Sequence, residues 1–189
     1  MRRKIAAAAL ISLTAAIGCK ENQWVPRGRA QILLSEIKLR GPETVSRRID
    51  TDEDFGRSVM DGIATGDSVW LDVAAMLTPA SASTEASLAI ALASALPRAP
   101  RRVLTLLGNK YSTEEVCGIP FLKADSSAVI TYHDEAAQAL GSVSAPSLAT
   151  KVAVCRTALD SSQSRRLERI NPAYVIKNKP TPVRRRSRR

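Results

Sequence analysis

Apolar residues recur with the spacing of an amphipathic helix through most of the chain, and proline or glycine interrupts this spacing at short intervals. Residues at i, i+3, i+4 and i+7 share one face of a helix, whereas the alternation typical of strands is scarce here. The clearest stripes are Ala30, Leu33, Leu34 and Ile37; Phe55, Val59 and Ile63; Trp70, Val73, Ala74 and Leu77; Ala89, Leu92, Ala93 and Leu96; Val129, His133, Ala136 and Leu140; and Leu148, Val152, Cys155 and Leu159. The pattern predicts an all-α fold.

We expect a compact bundle of about six to seven short helices in one domain across residues 27–160. Residues 41–42 (Gly-Pro), Pro79, Pro97 and Gly108 mark helix ends. Three residue pairs are the expected N-caps: Asp50 or Thr51, Ser83 or Thr84, and Asp125 or Ser126. The similar lengths of the segments 54–77 and 84–107 leave stacked helical hairpins open as an arrangement.

The N-terminus has the layout of a secretory signal peptide. Arg2, Arg3 and Lys4 form a positive region, and an uncharged, largely apolar stretch over residues 5–18 leads to Cys19. This stretch is shorter than the about 20 apolar residues that a helix needs to span a bilayer, so a transmembrane segment is the weaker interpretation. Export from the cytoplasm follows from this layout.

Residues 16–19, Ala-Ile-Gly-Cys, resemble the lipobox of bacterial lipoproteins. In that family the cysteine receives a diacylglyceryl group, and cleavage before it makes it the first residue. The resemblance implies a lipoprotein signal peptide at residues 1–18, a lipidated tether at 19–26 and attachment to a membrane through Cys19. Many lipoproteins that stay at the inner membrane have an aspartate directly after the lipidated cysteine, whereas this chain has Lys20 there. If the host has two membranes, we therefore expect the protein on the outer membrane, facing the periplasm. There are two alternatives. One is an ordinary signal peptide, whose cleavage leaves Cys19 with a free thiol; the other is a buried helix that is rich in alanine.

The formal net charge of +10 is concentrated at the C-terminus. Residues 164–189 hold ten basic residues against Glu168, whereas residues 20–163 hold 15 basic and 17 acidic residues. We predict a disordered basic tail over 161–189, since its composition buries too little apolar surface to fold. A candidate surface for binding anionic groups comprises Arg184, Arg185, Arg186, Arg188 and Arg189. A solvated tail without a ligand is the alternative. We do not expect nucleic acid, because the chain carries a secretion signal and because aromatic residues, which stack on bases, make up only 4% of it.

If Cys19 is lipidated, Cys117 and Cys155 remain as one pair. In an oxidising compartment such a pair in a small domain predicts a disulfide. Closing the loop of 37 intervening residues is worth about 4 kcal/mol in the chain-entropy model.

No pattern in the chain specifies a reaction, a metal or a cofactor. His133 lies on an apolar stripe, which favours a structural role. The acidic runs at 52–54 and 114–115 fall at predicted helix starts, where the helix dipole explains them. Ser35 and Lys38 match the S-x-x-K motif of penicillin-binding proteins, but the other motifs of that family are missing. Trp70 is expected in the core and Trp24 at a membrane interface.

We therefore expect an extracytoplasmic, membrane-anchored protein that acts without catalysis as a protein-binding or assembly module, with an envelope protein as its partner. One alternative is a small envelope enzyme acting on peptidoglycan or lipid. Another is an immunity or inhibitor protein against a toxin that attacks the envelope.

Deleting residues 177–189 should weaken association with an anionic membrane or partner at low salt, because most of the net charge lies there. The thermal midpoint should stay nearly unchanged. Vesicle binding and thermal unfolding measure the two effects, and a fall of many degrees in the midpoint would show that the tail is part of the fold.

Overall fold

The computed structural model describes residues 27–108, 110–121 and 123–172, and the prediction of an all-α fold is confirmed for them. Apart from one isolated bridge between Leu107 and Tyr111, the regular structure within these three ranges is helical. The described residues form nine helices, with a 3₁₀ turn at Pro146–Leu148: α1 (Arg27–Arg40), α2 (Pro42–Thr51), α3 (Glu53–Ala64), α4 (Ser68–Met76), α5 (Ala82–Ala95), α6 (Pro100–Leu106), α7 (Thr113–Val116), α8 (Ser126–Gly141) and α9 (Ala149–Ile170). This exceeds the six to seven helices expected from the sequence.

Helix α2 is the element that the sequence reasoning missed. Gly41 and Pro42 were interpreted as the end of a helix, but they also begin the next one. Gly41 adopts φ 83°, a left-handed conformation that glycine takes without strain. Pro42 occupies the first helical turn, where a missing N–H costs nothing because that group has no partner within the helix.

Side-chain caps fix the starts of four helices. Asp52, Asp67, Ser81 and Asp125 accept hydrogen bonds from the backbone N–H of Phe55, Val69, Thr84 and Ala128. The prediction of Asp125 as a cap is thus confirmed. The prediction that Asp50 or Thr51 caps a helix was wrong, because α2 runs through both residues. The prediction of Ser83 or Thr84 was also wrong, since Ser81 caps α5 from an extended conformation. The Ala128 N–H bond lowers the pKa of the Asp125 carboxyl.

The predicted domain boundary at residue 160 was placed too early. Helix α9 continues to Ile170, and Leu167 is buried on the face that also carries Cys155 and Leu159. Ser162 accepts a hydrogen bond from the Ile119 backbone N–H at 2.9 Å. Serine and arginine dominate residues 161–166, which suggested a solvated tail, but a helix needs only one apolar stripe to stay packed.

The helices enclose one hydrophobic core. Helix α3 packs on α2 and α5, α1 packs on α4, and α8 packs on α9, while α7 lies between α5 and α9. The pairs α3–α4 and α5–α6 lie side by side, as in two stacked hairpins. The bundle departs from a repeat after that point, because α8 pairs instead with the long α9.

Polar side chains satisfy backbone carbonyls near the ends of several helices. The hydroxyls of Tyr111 and Tyr132, both buried, donate to the carbonyls of Ala74 and Ala93 at 2.7 and 2.8 Å. Lys110 and Lys151 donate to the carbonyls of Ala75 and Leu107, each at 2.7 Å. Burial raises the pKa of both tyrosines above its ordinary value. Each bond joins a carbonyl at or near the end of a helix to a side chain from another part of the chain.

Trp70 is confirmed as a core residue, with 2% of its surface exposed. Its indole lies flat against Gly62 of α3, where a Cβ would come within 2.7 Å of three ring atoms. Glycine at this position therefore sets the distance between α3 and α4.

Gly62→Ala should lower the free energy of unfolding by about 1–3 kcal/mol, because the added methyl group overpacks a fully buried ring. Gly141→Ala is the matched control: Gly141 is exposed at the end of α8 and a Cβ there meets nothing within 4 Å. Urea unfolding of both variants measures the difference, and equal stability of the two would contradict this packing.

Candidate functional site

The predicted disulfide is present. Cys117 and Cys155 are joined by an S–S bond, and both residues are fully buried. Cys117 directly follows α7, a helix of four residues, and Cys155 lies in the first half of α9. An isolated single turn of helix is unstable in water. The covalent bond therefore fixes α7 to α9.

Several predicted site residues lie outside the described residues. These are Cys19, with the signal segment and Trp24, and the five tail arginines Arg184, Arg185, Arg186, Arg188 and Arg189. Lipidation and binding of anionic groups by the tail stay predictions.

His133 joins two helices. Its ring is 16% exposed, and Nε2 lies 2.8 Å from Oδ1 of Asp160 on α9, while Nδ1 lies 3.2 Å from Oδ1 of its neighbour Asp134. The ring thus lies between two carboxylates that are themselves largely exposed. This arrangement fits the structural role that the sequence indicated for His133.

The acidic runs lie at helix starts, as expected from the sequence. Asp52 caps α3, and Glu53 and Asp54 both contact the guanidinium of Arg57. Glu114 and Glu115 are exposed in the first turn of α7. In the described part of the chain no three His, Cys, Asp or Glu side chains are grouped so as to hold a metal ion. None of its helices has both the length and the apolar character needed to cross a bilayer.

An open groove of about 800 Å³ lies between α3 and α5. Its apolar lining comes from Met60 and Ala64 on α3 and from Ile90 and Ala91 on α5. Ile90 is 44% exposed, although it is a large apolar side chain. An exposed isoleucine beside other apolar groups in a concave surface is the usual composition of a binding site.

Polar groups surround this apolar lining. Glu53, Arg57 and Asp61 stand along the α3 side, and the hydroxyls of Ser83 and Ser87 stand along the α5 side. Among the described residues, the side chains of Asp61, Ser83 and Ser87 have no hydrogen bond or ion pair, so they are free to bind. The α3 rim carries more acidic than basic groups.

One end of the groove is held rigidly. Asp50, at the end of α2, accepts hydrogen bonds from the hydroxyls of Ser81 and Thr84 at the start of α5. A carboxylate at this position also interacts favourably with the positive end of the α5 dipole. The groove is therefore built on two packed helices and a fixed corner rather than on a loop.

Sequence reasoning did not find this groove. Ile90 lies off the predicted stripe of Ala89, Leu92, Ala93 and Leu96, and that position was the available signal. An isolated apolar residue on a polar helix face is common, so the signal gains meaning only when α3 is seen to pack beside it.

Comparison with protein-family models, with curated proteins and with solved structures finds no match to this chain.

Reduction of the disulfide, or the double change Cys117→Ala and Cys155→Ala, should lower the free energy of unfolding by about 4 kcal/mol, because the unfolded chain regains the entropy of a closed loop. Denaturant unfolding of the oxidised and reduced protein measures this. Identical midpoints for the two forms would contradict a structural role for the bond.

Proposed function

We propose that this protein is a lipid-anchored protein of the bacterial envelope that binds another envelope protein in the α3–α5 groove and catalyses no reaction. The observation that carries the proposal is the buried Cys117–Cys155 disulfide. Structural disulfides persist in oxidising compartments and are rare in the cytosol. The bond supports export, and it leaves Cys19 as the only other cysteine of the chain, at the end of a segment that resembles a lipoprotein signal.

The groove supports binding of a protein segment. Its lining offers partly exposed apolar groups at Met60 and Ile90, and its rim offers Asp61 and two serine hydroxyls without partners among the described residues. A segment that fits would present apolar side chains to the groove and a basic side chain to Asp61. Helix-in-groove and strand-like segments both bind to surfaces of this kind.

Ile90→Asp tests the groove. The added carboxylate stands in the apolar lining, so we expect recovery of the partner from solubilised membranes to fall about tenfold or more, equivalent to about 1.4 kcal/mol of binding free energy. Ile130→Asp on α8 is the control, because Ile130 is 36% exposed and lies outside the groove. Crosslinking and co-purification with the two variants and the wild type measure the effect.

The proposal fails if both variants recover the same proteins as the wild type, or if both lose them equally. Circular dichroism of the two variants shows that each keeps the helical fold.

A further inference from the structure

Helix α1 is apolar on two opposite faces. Ala30, Leu33 and Ile37 are buried against the body of the protein. At 3.6 residues per turn, Ile32 and Leu39 lie on nearly the opposite side of the helix, and they are 70% and 85% exposed. These are the two most exposed large apolar side chains among the described residues.

The two side chains form one outward face. They are seven positions apart in the sequence, so they lie about 10 Å apart along the helix axis, with Ser35 between them and Gly28 one turn before Ile32 on the same face. We define this surface, Gly28, Ile32, Ser35 and Leu39, as the outer face of α1. A single exposed apolar side chain needs no explanation, but two aligned apolar side chains on a helix whose other side is already packed point to a second contact.

Basic side chains flank the outer face on both sides. Arg29 and Arg40 lie along one flank together with Glu36, the only acidic residue of α1, and Lys38 lies along the other flank. Arg29 also donates to Ser58 of α3 at 3.1 Å, and Arg40 lies 3.8 Å from Glu36. An apolar strip between basic flanks is the composition of a helix that lies in the interface of an anionic bilayer.

The position of α1 in the chain supports the same occupant. Seven residues separate Cys19 from Arg27, the first residue of α1. A segment of that length reaches about 25 Å when fully extended. If Cys19 carries acyl chains, as the proposed function holds, α1 cannot leave the neighbourhood of the membrane surface, and its local concentration there is high.

We propose that the outer face of α1 lies in the headgroup region of an anionic membrane, with Ile32 and Leu39 inserted and the flanking Arg and Lys side chains against lipid phosphates. This inference rests on the proposed function, because lipidation of Cys19 supplies the proximity. It deepens that function by orienting the body: α1 faces the lipid, and the α3–α5 groove binds the partner.

The test uses the mature chain, residues 19–189, with Cys19→Ser so that no acyl chain contributes. Binding is measured by flotation with vesicles of phosphatidylglycerol and phosphatidylethanolamine at about 0.15 M salt, where charges beyond about 8 Å are screened. The variant is Ile32→Asp with Leu39→Asp. The matched control is Ile130→Asp with Val154→Asp, which adds the same charge at exposed apolar positions on α8 and α9.

We expect the vesicle partition coefficient to fall about tenfold for the α1 variant, since two apolar side chains lose their burial, and less than about twofold for the control. Phosphatidylcholine vesicles should bind the wild type more weakly, because the basic flanks and the tail arginines then lack a net negative surface; the contribution of α1 is therefore read from the variant and its control, which keep the same tail. Thermal midpoints should match the wild type for both variants, because all four side chains are exposed.

Equal partition coefficients for the α1 variant and the wild type would overturn the inference, as would an equal loss in variant and control. A wild-type dimer that the α1 variant dissociates, with vesicle binding unchanged, would overturn it in favour of a second copy of the chain. Incorporation of labelled fatty acid at Cys19 in the full chain reports separately on the proposed function, so the two failures are distinguishable.

Discussion

The covalent bond between Cys117 and Cys155 is the constraint on which the rest of this structure depends. It joins a single turn, α7, to the longest helix, α9, and it lies in the core with no exposed surface. Around it, α7 contacts α5, and the Ile119 N–H donates to Ser162. The bond thereby fixes the two ends of the segment 117–155, which contains α8, beside α5. A helix of four residues could not hold this position through its own packing.

Small residues set the distances between the other helices. Ala89, Ala91, Ala93 and Ala95 are all buried on α5, and Gly62 lets α3 approach the ring of Trp70. A core rich in alanine and glycine buries little apolar area per residue, so hydrogen bonds between elements contribute a larger share of the stability. Tyr111, Tyr132, Lys110 and Lys151 provide such bonds by binding carbonyls at or near helix ends.

Most of the fold could be predicted from the spacing of apolar residues. The stripes of α1, α3, α4, α5, α8 and α9 match buried faces, and the disulfide followed from the cysteine count. Helix α2 could not be predicted, because Gly41 and Pro42 both end one helix and begin another. The extension of α9 was missed because only Leu167 marks its apolar face beyond residue 160.

The groove and the outer face of α1 depend on information that one helix does not hold. Ile32, Leu39 and Ile90 were visible in the sequence as apolar residues off their stripes. Whether such a residue stays exposed depends on which helices pack beside it, and that is a property of the assembled bundle. Both surfaces are therefore set by the packing of α1 on α4 and of α3 on α5.

The disulfide is present in the structure, and we propose that the chain is also exported and lipidated at Cys19. Peptide mass measurement under non-reducing conditions tests it most directly, on protein extracted from bacterial membranes after expression with its full N-terminus. We expect an acylated Cys19 as the first residue and a linked pair of peptides containing Cys117 and Cys155. A chain that retains residues 1–18, with both of those cysteines reduced, would contradict it.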